Sequence, residues 1–169
     1  ARRKGFNADI VELSNLRDEV QIRTIYKPDN TSSIADLKLH WDGDRAMFTQ
    51  TMSDNRWNVF EVKLNNADCK KLIDNPEPDL EFYDGTYLPD GRIIANSNIG
   101  YQGVPCVNGS DPVGNMVLYT PQSKNLRRLT FDQDANWNPV IMNNGRVMYT
   151  RWEYTDLTHY YTRIVMNMN

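Results

Sequence analysis

The sequence predicts an all-β fold made of four-stranded antiparallel sheets that repeat along the chain. Three tight-turn motifs carry this prediction, at Asp42-Gly43, Asp90-Gly91 and Asn144-Gly145. Asp-Gly and Asn-Gly supply the positive φ angles of primed two-residue turns, and the alternating apolar run after each turn is typical of a half-buried strand. The turn glycines are 48 and 54 residues apart, close to the period of β-propeller blades.

Further strands are predicted around each turn, in the order that a blade requires. The strands before the turns are residues 35–40, 82–88 and 138–142, and third strands follow at 57–64, 115–120 and 162–168. Short fourth strands are predicted at 70–73 and 126–130. Residues 10–13 and 20–26 alternate in the same way and are predicted to be outer strands of a preceding blade.

The repeat divides the chain into blade-sized segments. Residues 1–30 are predicted to end a preceding blade, 31–77 and 78–130 to form blades, and 131–169 to form an incomplete blade. This gives about three to three and a half blades, whereas closed propellers typically have 4–8. We therefore expect a partial propeller, cut from a longer chain that supplies further blades.

Composition and charge exclude several classes of function. The 19 basic residues, against 22 acidic ones, are scattered, so we expect no nucleic-acid partner. The pair Arg127-Arg128 is interpreted as a solvated surface. No apolar run approaches the roughly 18 residues that span a bilayer, so no direct membrane insertion is expected.

The sequence contains no motif of a known catalytic or metal site. It has no Ser-His-Asp set, phosphate-binding loop or HExxH, so no catalytic residue and no metal ligand is predicted. Cys69 and Cys106 lie in neither CxxC nor CxxCH, which excludes the standard zinc-ribbon and c-type haem attachment patterns. Whether these two cysteines pair is left open.

The second half of the chain resembles a known family. The segments that carry the resemblance are 101–106, 109–118, 129–134, 136–139, 144–156 and His159. Over residues 78–169 they resemble the propeller domain of hydrazine synthase alpha-subunit-like proteins, whereas residues 1–77 match only the broader TolB-like, WD40-like blade pattern. The resemblance implies an exported bacterial protein, periplasmic, extracellular or at the cell surface. The family's namesake is a haem enzyme, but this chain has no CxxCH.

Two segments are candidate ligand-binding sites. The Gly- and Pro-rich loop between strands two and three of the second blade carries Tyr101, Gln102 and Asp111, whose ring, amide and carboxylate suit a ligand such as a glycan. It can equally be an ordered clasp between blades. Connecting loops on one face of a repeat architecture are where binding residues concentrate.

The second candidate segment follows the last predicted hairpin and carries Arg151, Glu153, Tyr154 and His159. The alternative interpretation is structural: Arg151 pairs with Glu153 or Asp156, and the neighbouring aromatic rings pack between sheets.

Two functions are therefore predicted from different classes. The first is a non-catalytic propeller scaffold without a cofactor that binds a protein or glycan partner through its loops. The alternative is the propeller part of a haem-dependent redox enzyme, with the haem held by another segment.

Overall fold

In the computed structural model, which describes residues 8–29, 32–104, 108–153 and 162–169, every regular element is a β-strand. The strands are β1 (Ile10–Ser14), β2 (Gln21–Tyr26), β3 (Ile34–Leu39), β4 (Arg45–Thr51), β5 (Trp57–Lys63), β6 (Cys69–Lys71), β7 (Phe82–Tyr87), β8 (Ile93–Ser97), β9 (Asn115–Thr120), β10 (Asn125–Arg128), β11 (Asn136–Ile141), β12 (Val147–Trp152) and β13 (Arg163–Met168). The all-β prediction is confirmed. Among the described residues, there is no helix with the length and apolar character to span a membrane.

The chain divides into two compact units, Ala1–Leu72 and Ile73–Asn169. The first unit holds the two-stranded sheet β1-β2 and the four-stranded sheet β3-β4-β5-β6. The second holds the four-stranded sheet β7-β8-β9-β10 and the three-stranded sheet β11-β12-β13. Strands that follow each other in a sheet pair antiparallel throughout, so the predicted antiparallel four-stranded sheets are present.

The outermost strands begin and end one or two residues earlier than predicted. β10 ends at Arg128 because the next two backbone N–H groups, of Leu129 and Thr130, both donate to the Met116 carbonyl oxygen. The chain thereby leaves the strand ladder and turns toward β11. β6 likewise ends at Lys71 rather than at residue 73.

The hairpin turns are not the primed two-residue turns that the sequence suggested. Gly91 has φ 83°, but Asp90 does not have a positive φ, and the hydrogen bonds from Leu88 N–H to Arg92 O and from Gly91 N–H to Leu88 O define a three-residue loop. Asp90 instead accepts the Arg92 N–H through its side chain at 3.1 Å. The same arrangement recurs at Gly145, and the Gly43 loop is one residue longer. Asp90 and Asn144 are therefore side-chain acceptors.

Each unit has its own apolar core between two sheets. In the first unit, Phe48 and Val62 pack with Ile10 and Ile25 of the sheet β1-β2. In the second, buried side chains of β8 and β9 pack against β12, among them Ile94, Met116, Leu118, Val147 and Tyr149. Alternation along these strands puts every second residue into the core, as a pleated sheet requires.

The first strand of each hairpin carries a β-bulge that the sequence analysis did not identify. The register shifts between Ala35 and Lys38 in β3, and at the equivalent places in β7 and β11. Asp36, Asp84 and Asn138 lie in these shifts with φ of 55°, 52° and 54°. Asp and Asn tolerate this left-handed region better than other non-glycine residues. A bulge bends its strand and redirects side chains.

Cys69 begins β6 and is a free thiol. Burial raises the pKa of this thiol, and a hydrogen bond with Tyr26 opposes the increase. Cys106 lies outside the described residues.

Candidate functional site

Three connecting segments of the second unit meet at one end of its two sheets. In an antiparallel meander, the end of β8, the start of β9 and the end of β10 lie at the same edge. The start of β11 lies there too, because the Asn136 N–H donates to the Gly114 carbonyl oxygen at 2.8 Å, and Asn136 pairs with Arg151 at the end of β12. We call this edge the loop end of the second unit.

The segment between β8 and β9 is a small hairpin in its own right. An isolated bridge pairs Gly103 with Pro112, and the Val113 N–H donates to the Gln102 carbonyl oxygen at 2.8 Å. This backbone pairing presents Tyr101 to solvent with 64% of its surface exposed. Asp111 joins the hairpin through its carbonyl oxygen, which accepts the Val104 N–H at 2.8 Å, and its side chain is exposed.

Arg128, at the end of β10, connects this hairpin to the rest of the loop end. Its Nη2 donates to Asn115 Oδ1 and its Nε to the Thr130 carbonyl oxygen, both at 2.8 Å. Gly100 lies directly beside this pair, because a methyl group at Gly100 would be 2.7 Å from Asn115 Oδ1 and 3.1 Å from Arg128 Nη2. The guanidinium carbon of Arg128 lies 4.8 Å from the ring centre of Phe131, which is 74% exposed.

Asn115 and Asp132 extend the network to β12. The fully buried Asn115 donates through Nδ2 to the Asp132 carbonyl oxygen at 3.2 Å, and the Asp132 carboxylate lies 2.8 Å from Arg151 Nη1. Arg151 Nε lies 3.4 Å from Glu153 Oε2. The three charged side chains are only 20–26% exposed, so solvent screens these ion pairs less than it screens fully exposed ones.

The structure therefore joins the two candidate segments of the sequence into one polar surface. Gln102 comes from the loop between β8 and β9 and Arg151 from the end of β12, and the bonds through Arg128, Asn115 and Asp132 link their neighbourhoods. We name this surface the loop-end cluster; it consists of Tyr101, Gln102, Asn115, Arg128, Phe131, Asp132, Arg151 and Glu153.

Two tryptophans and an arginine stack on the β11-β12-β13 sheet beside this cluster. The rings of Trp137 and Trp152 are 6.4 Å apart at an interplanar angle of 29°, and the Arg163 guanidinium lies 5.1 Å from the centre of Trp137 and 4.9 Å from that of Trp152. In the pairing of the sheet, Trp152 is opposite Arg163. These side chains pack on one another at the end of β12, next to Arg151 and Glu153.

Four of the seven predicted binding residues lie in the cluster. Tyr101, Gln102, Arg151 and Glu153 belong to it, whereas the exposed Asp111 side chain makes no ion pair with it in the part of the chain described. Tyr154 and His159 lie outside the described residues. The structural alternative for Arg151 includes an ion pair with Glu153, and that pair is present.

Asn115, Arg128 and Phe131 were missed. Arg128 had been grouped with Arg127 as a solvated basic pair, but the two point to opposite sides of β10, where Arg127 is exposed and Arg128 is half-buried. Successive side chains of a strand point to opposite sides. The sequence alone could therefore have distinguished Arg127 from Arg128.

One group of potential metal ligands is close enough in the described ranges: His40, Asp42 and Asp44. The Arg45 guanidinium lies 2.7 Å from His40 Nε2 and from Asp44 Oδ1, and 3.7 Å from Asp42 Oδ2. An arginine side chain thus already lies among these ligand atoms, and its positive charge would repel a cation.

Comparison with known proteins identifies the fold and not the family. No family profile and no curated protein matches the sequence. TolB from Acinetobacter baumannii superimposes with a TM-score of 0.59 at 15% identity, over 95% of this chain and 38% of that one. A protein from Agrobacterium tumefaciens assigned as TolB gives 0.62 at 16% identity, over 88% and 48%.

A puromycin-hydrolyzing peptidase from Mycobacterium tuberculosis gives a TM-score of 0.55 at 16% identity, over 88% of this chain and 20% of that one. The chain thus spans less than half the length of each of these three structures. At such identities the likeness concerns the fold alone. With the sheets described above, it confirms the predicted partial β-propeller, and the fold of this chain is TolB-like.

Proposed function

We propose that this chain is a non-catalytic binding module that takes a protein partner at its loop-end cluster. The observation that carries the proposal is the network from Arg128 through Asn115 and Asp132 to Arg151. It fixes two loops in one arrangement, so that little conformational entropy is lost when a partner binds. Tyr101 and Phe131, which are 64% and 74% exposed in the connecting loops, supply apolar contact area.

A protein partner suits the residues of the cluster better than a glycan. Arginine and aromatic side chains are enriched among the residues that dominate protein–protein binding energy. A sugar ring would stack on a free aromatic face, but the Arg128 guanidinium already covers one face of Phe131. The paired charges of Asp132, Arg151 and Glu153 fit a polar rim around such an interface.

The same proposal includes further blades and an exported location. In the sheet β11-β12-β13 the side opposite the core exposes Val140, Met148 and Val165. We propose that blades from the rest of a longer chain cover this side. A periplasmic, extracellular or cell-surface location follows from the family resemblance of residues 78–169. The alternative of a haem-dependent redox enzyme rests on that resemblance to hydrazine synthase alone.

The proposal is tested by selecting ligands for the whole chain from two sources, a phage-displayed library of random dodecapeptides and a glycan array. We expect the selected peptides to bind the Tyr101→Ala/Phe131→Ala double variant at least about tenfold more weakly than the wild type. Trp41→Ala is the control, because Trp41 is an exposed aromatic residue in the β3-β4 turn, outside the cluster.

If glycans are selected and peptides are not, the partner is a carbohydrate and not a protein. Peptides whose affinity is equal for the double variant and the wild type would place binding outside the cluster, and the proposed function would be wrong.

A further inference from the structure

Arg128 differs from the other arginine of the loop-end cluster in what surrounds its charge. Arg151 lies within ion-pair distance of both Asp132 and Glu153. Arg128 donates to two neutral oxygens, Asn115 Oδ1 and the Thr130 carbonyl. Among the described residues no carboxylate pairs with Arg128 or neutralises its positive charge.

The hydrogen bonds of Arg128 also determine which of its donors remain. A guanidinium has five N–H groups in a planar fork. Nε and one N–H of Nη2 are used within the chain, which leaves the two N–H groups of Nη1 and the second N–H of Nη2. These are the donors with which arginine binds a carboxylate in the bidentate manner.

Two features hold this guanidinium in a fixed position. Asn115 is fully buried and bonded to the Asp132 carbonyl oxygen, so the acceptor for Nη2 is itself immobile. The ring of Phe131 lies against the guanidinium, with 4.8 Å between the ring centre and the guanidinium carbon, an arrangement that is favourable for cation–π contact. The exposed remainder of that ring provides an apolar surface next to the charge.

We propose that Arg128 is the specificity determinant of the loop-end cluster and that it binds an Asp or Glu side chain of an extended, acidic peptide segment in the partner. Phe131 then contacts the apolar side chain next to that acid. Charge complementarity favours such a partner, because an oriented cation with remaining N–H donors selects an anion. This inference rests on the proposed function and specifies the chemistry of the partner.

The test uses the dodecapeptide library on the wild type, Arg128→Gln and Arg127→Gln. Displayed peptides have no free C-terminal carboxylate, so any acidic preference must come from side chains. We expect Asp and Glu to be enriched among peptides selected on the wild type and on Arg127→Gln. These peptides should bind Arg128→Gln about tenfold or more weakly, and Arg128→Lys should restore part of the loss.

Arg127 is the matched control because it carries the same charge on the exposed side of the same strand. Circular dichroism and thermal melting establish that each variant is folded. Wild-type binders without an acidic preference, or binders with equal affinity for the Arg128 and Arg127 variants, would overturn the inference. If such binders still depend on Tyr101 and Phe131, the proposed function stands without it, and if no peptide binds at all, both fail.

Discussion

Gly100 is the residue on which the geometry of the loop-end cluster depends most directly. No side chain can be added there without entering the space between Asn115 and Arg128. The requirement is steric and not conformational, since Gly100 has no positive φ. Asn115 is fully buried and cannot retreat, so the Arg128 side chain is the group that must move.

Gly100→Ala should therefore break the hydrogen bond between Arg128 and Asn115. We expect a shift of the Arg128 Nε–H resonance in ¹⁵N-edited NMR spectra, and peptide binding weakened by about tenfold. The unfolding free energy should fall by only about 1 kcal/mol, because one part-buried hydrogen bond is lost.

Gly109→Ala in the same loop is the control for backbone strain. Gly109 has φ 75°, which alanine adopts at a cost of about 1–2 kcal/mol, but nothing lies within 4 Å of an added methyl group. An Arg128 resonance that moves equally in both variants would mean that loop strain, and not the contact with Asn115, disturbs the guanidinium.

At the scale of the element, the bulges in the first strands show a further use of Asp and Asn. In the second unit the buried Asp84 accepts two hydrogen bonds through Oδ2, from the Asn138 backbone N–H and from Asn96 Nδ2. Asn138 is the bulge residue of β11. The bulge residue of β7 therefore accepts the hydrogen bond of a backbone N–H in the bulge of β11. The bulge is thus a joint between the sheets β7-β8-β9-β10 and β11-β12-β13.

Asp84→Ala should destabilise the second unit by about 3–4 kcal/mol. The Asn138 N–H and the buried Asn96 amide lose their acceptor, at about 1–1.5 kcal/mol for each of the two hydrogen bonds. Alanine at φ 52° adds about 1 kcal/mol of strain. Urea unfolding followed by far-ultraviolet circular dichroism measures the difference.

Two variants separate these causes. Asp84→Asn keeps one acceptor oxygen and the tolerance of positive φ, and we expect it to cost about half as much. Asp36→Ala changes the equivalent bulge residue, which is exposed, and should cost only the strain. Equal losses for Asp84→Asn and Asp84→Ala would show that the acceptor role is not what stabilises the joint.

The strands were predictable because alternation and turn residues are local properties. β7, for example, begins at Phe82 as expected and ends one residue early. The turns were predicted at the right glycines but with the wrong turn type. Asp90 and Asn144 accept hydrogen bonds through their side chains, and composition alone does not predict these bonds. The bulge residues follow a regular spacing in the sequence, which the prediction did not use. Each lies seven residues before its turn glycine, as Asp36 does before Gly43.

The candidate site was less predictable because its connections are not local. Tyr101 and Arg151 were identified from residue type, but the network between them runs through the buried Asn115 and the backbone oxygen of Asp132. Nothing in the sequence brings those groups within 3.2 Å; only the packing of one sheet on another does so. Residue type therefore indicated four members of the cluster, and the fold determined the rest and the partners of each.

At the scale of the whole molecule, the terminal sheets leave apolar surface uncovered. The sheet β1-β2 exposes Leu13 and Ile22, which are paired across its two strands. The sheet β11-β12-β13 exposes Val165, Met148 and Val140 on the side away from its core. Contiguous exposed apolar surface marks an interaction site, and in the proposed longer protein further blades cover it.

The 169-residue chain by itself should therefore associate through these sheets, and Val165→Lys should weaken that association about tenfold, as the loss of one buried valine contact predicts. Sedimentation equilibrium measures the dissociation constant directly. Leu16→Lys is the matched control, because Leu16 and Val165 are both 71% exposed but Leu16 lies in the turn between β1 and β2. An equal effect of both substitutions would attribute association to general hydrophobicity. No effect of Val165→Lys would mean that the outer side of β13 needs no partner, contrary to the proposal of further blades.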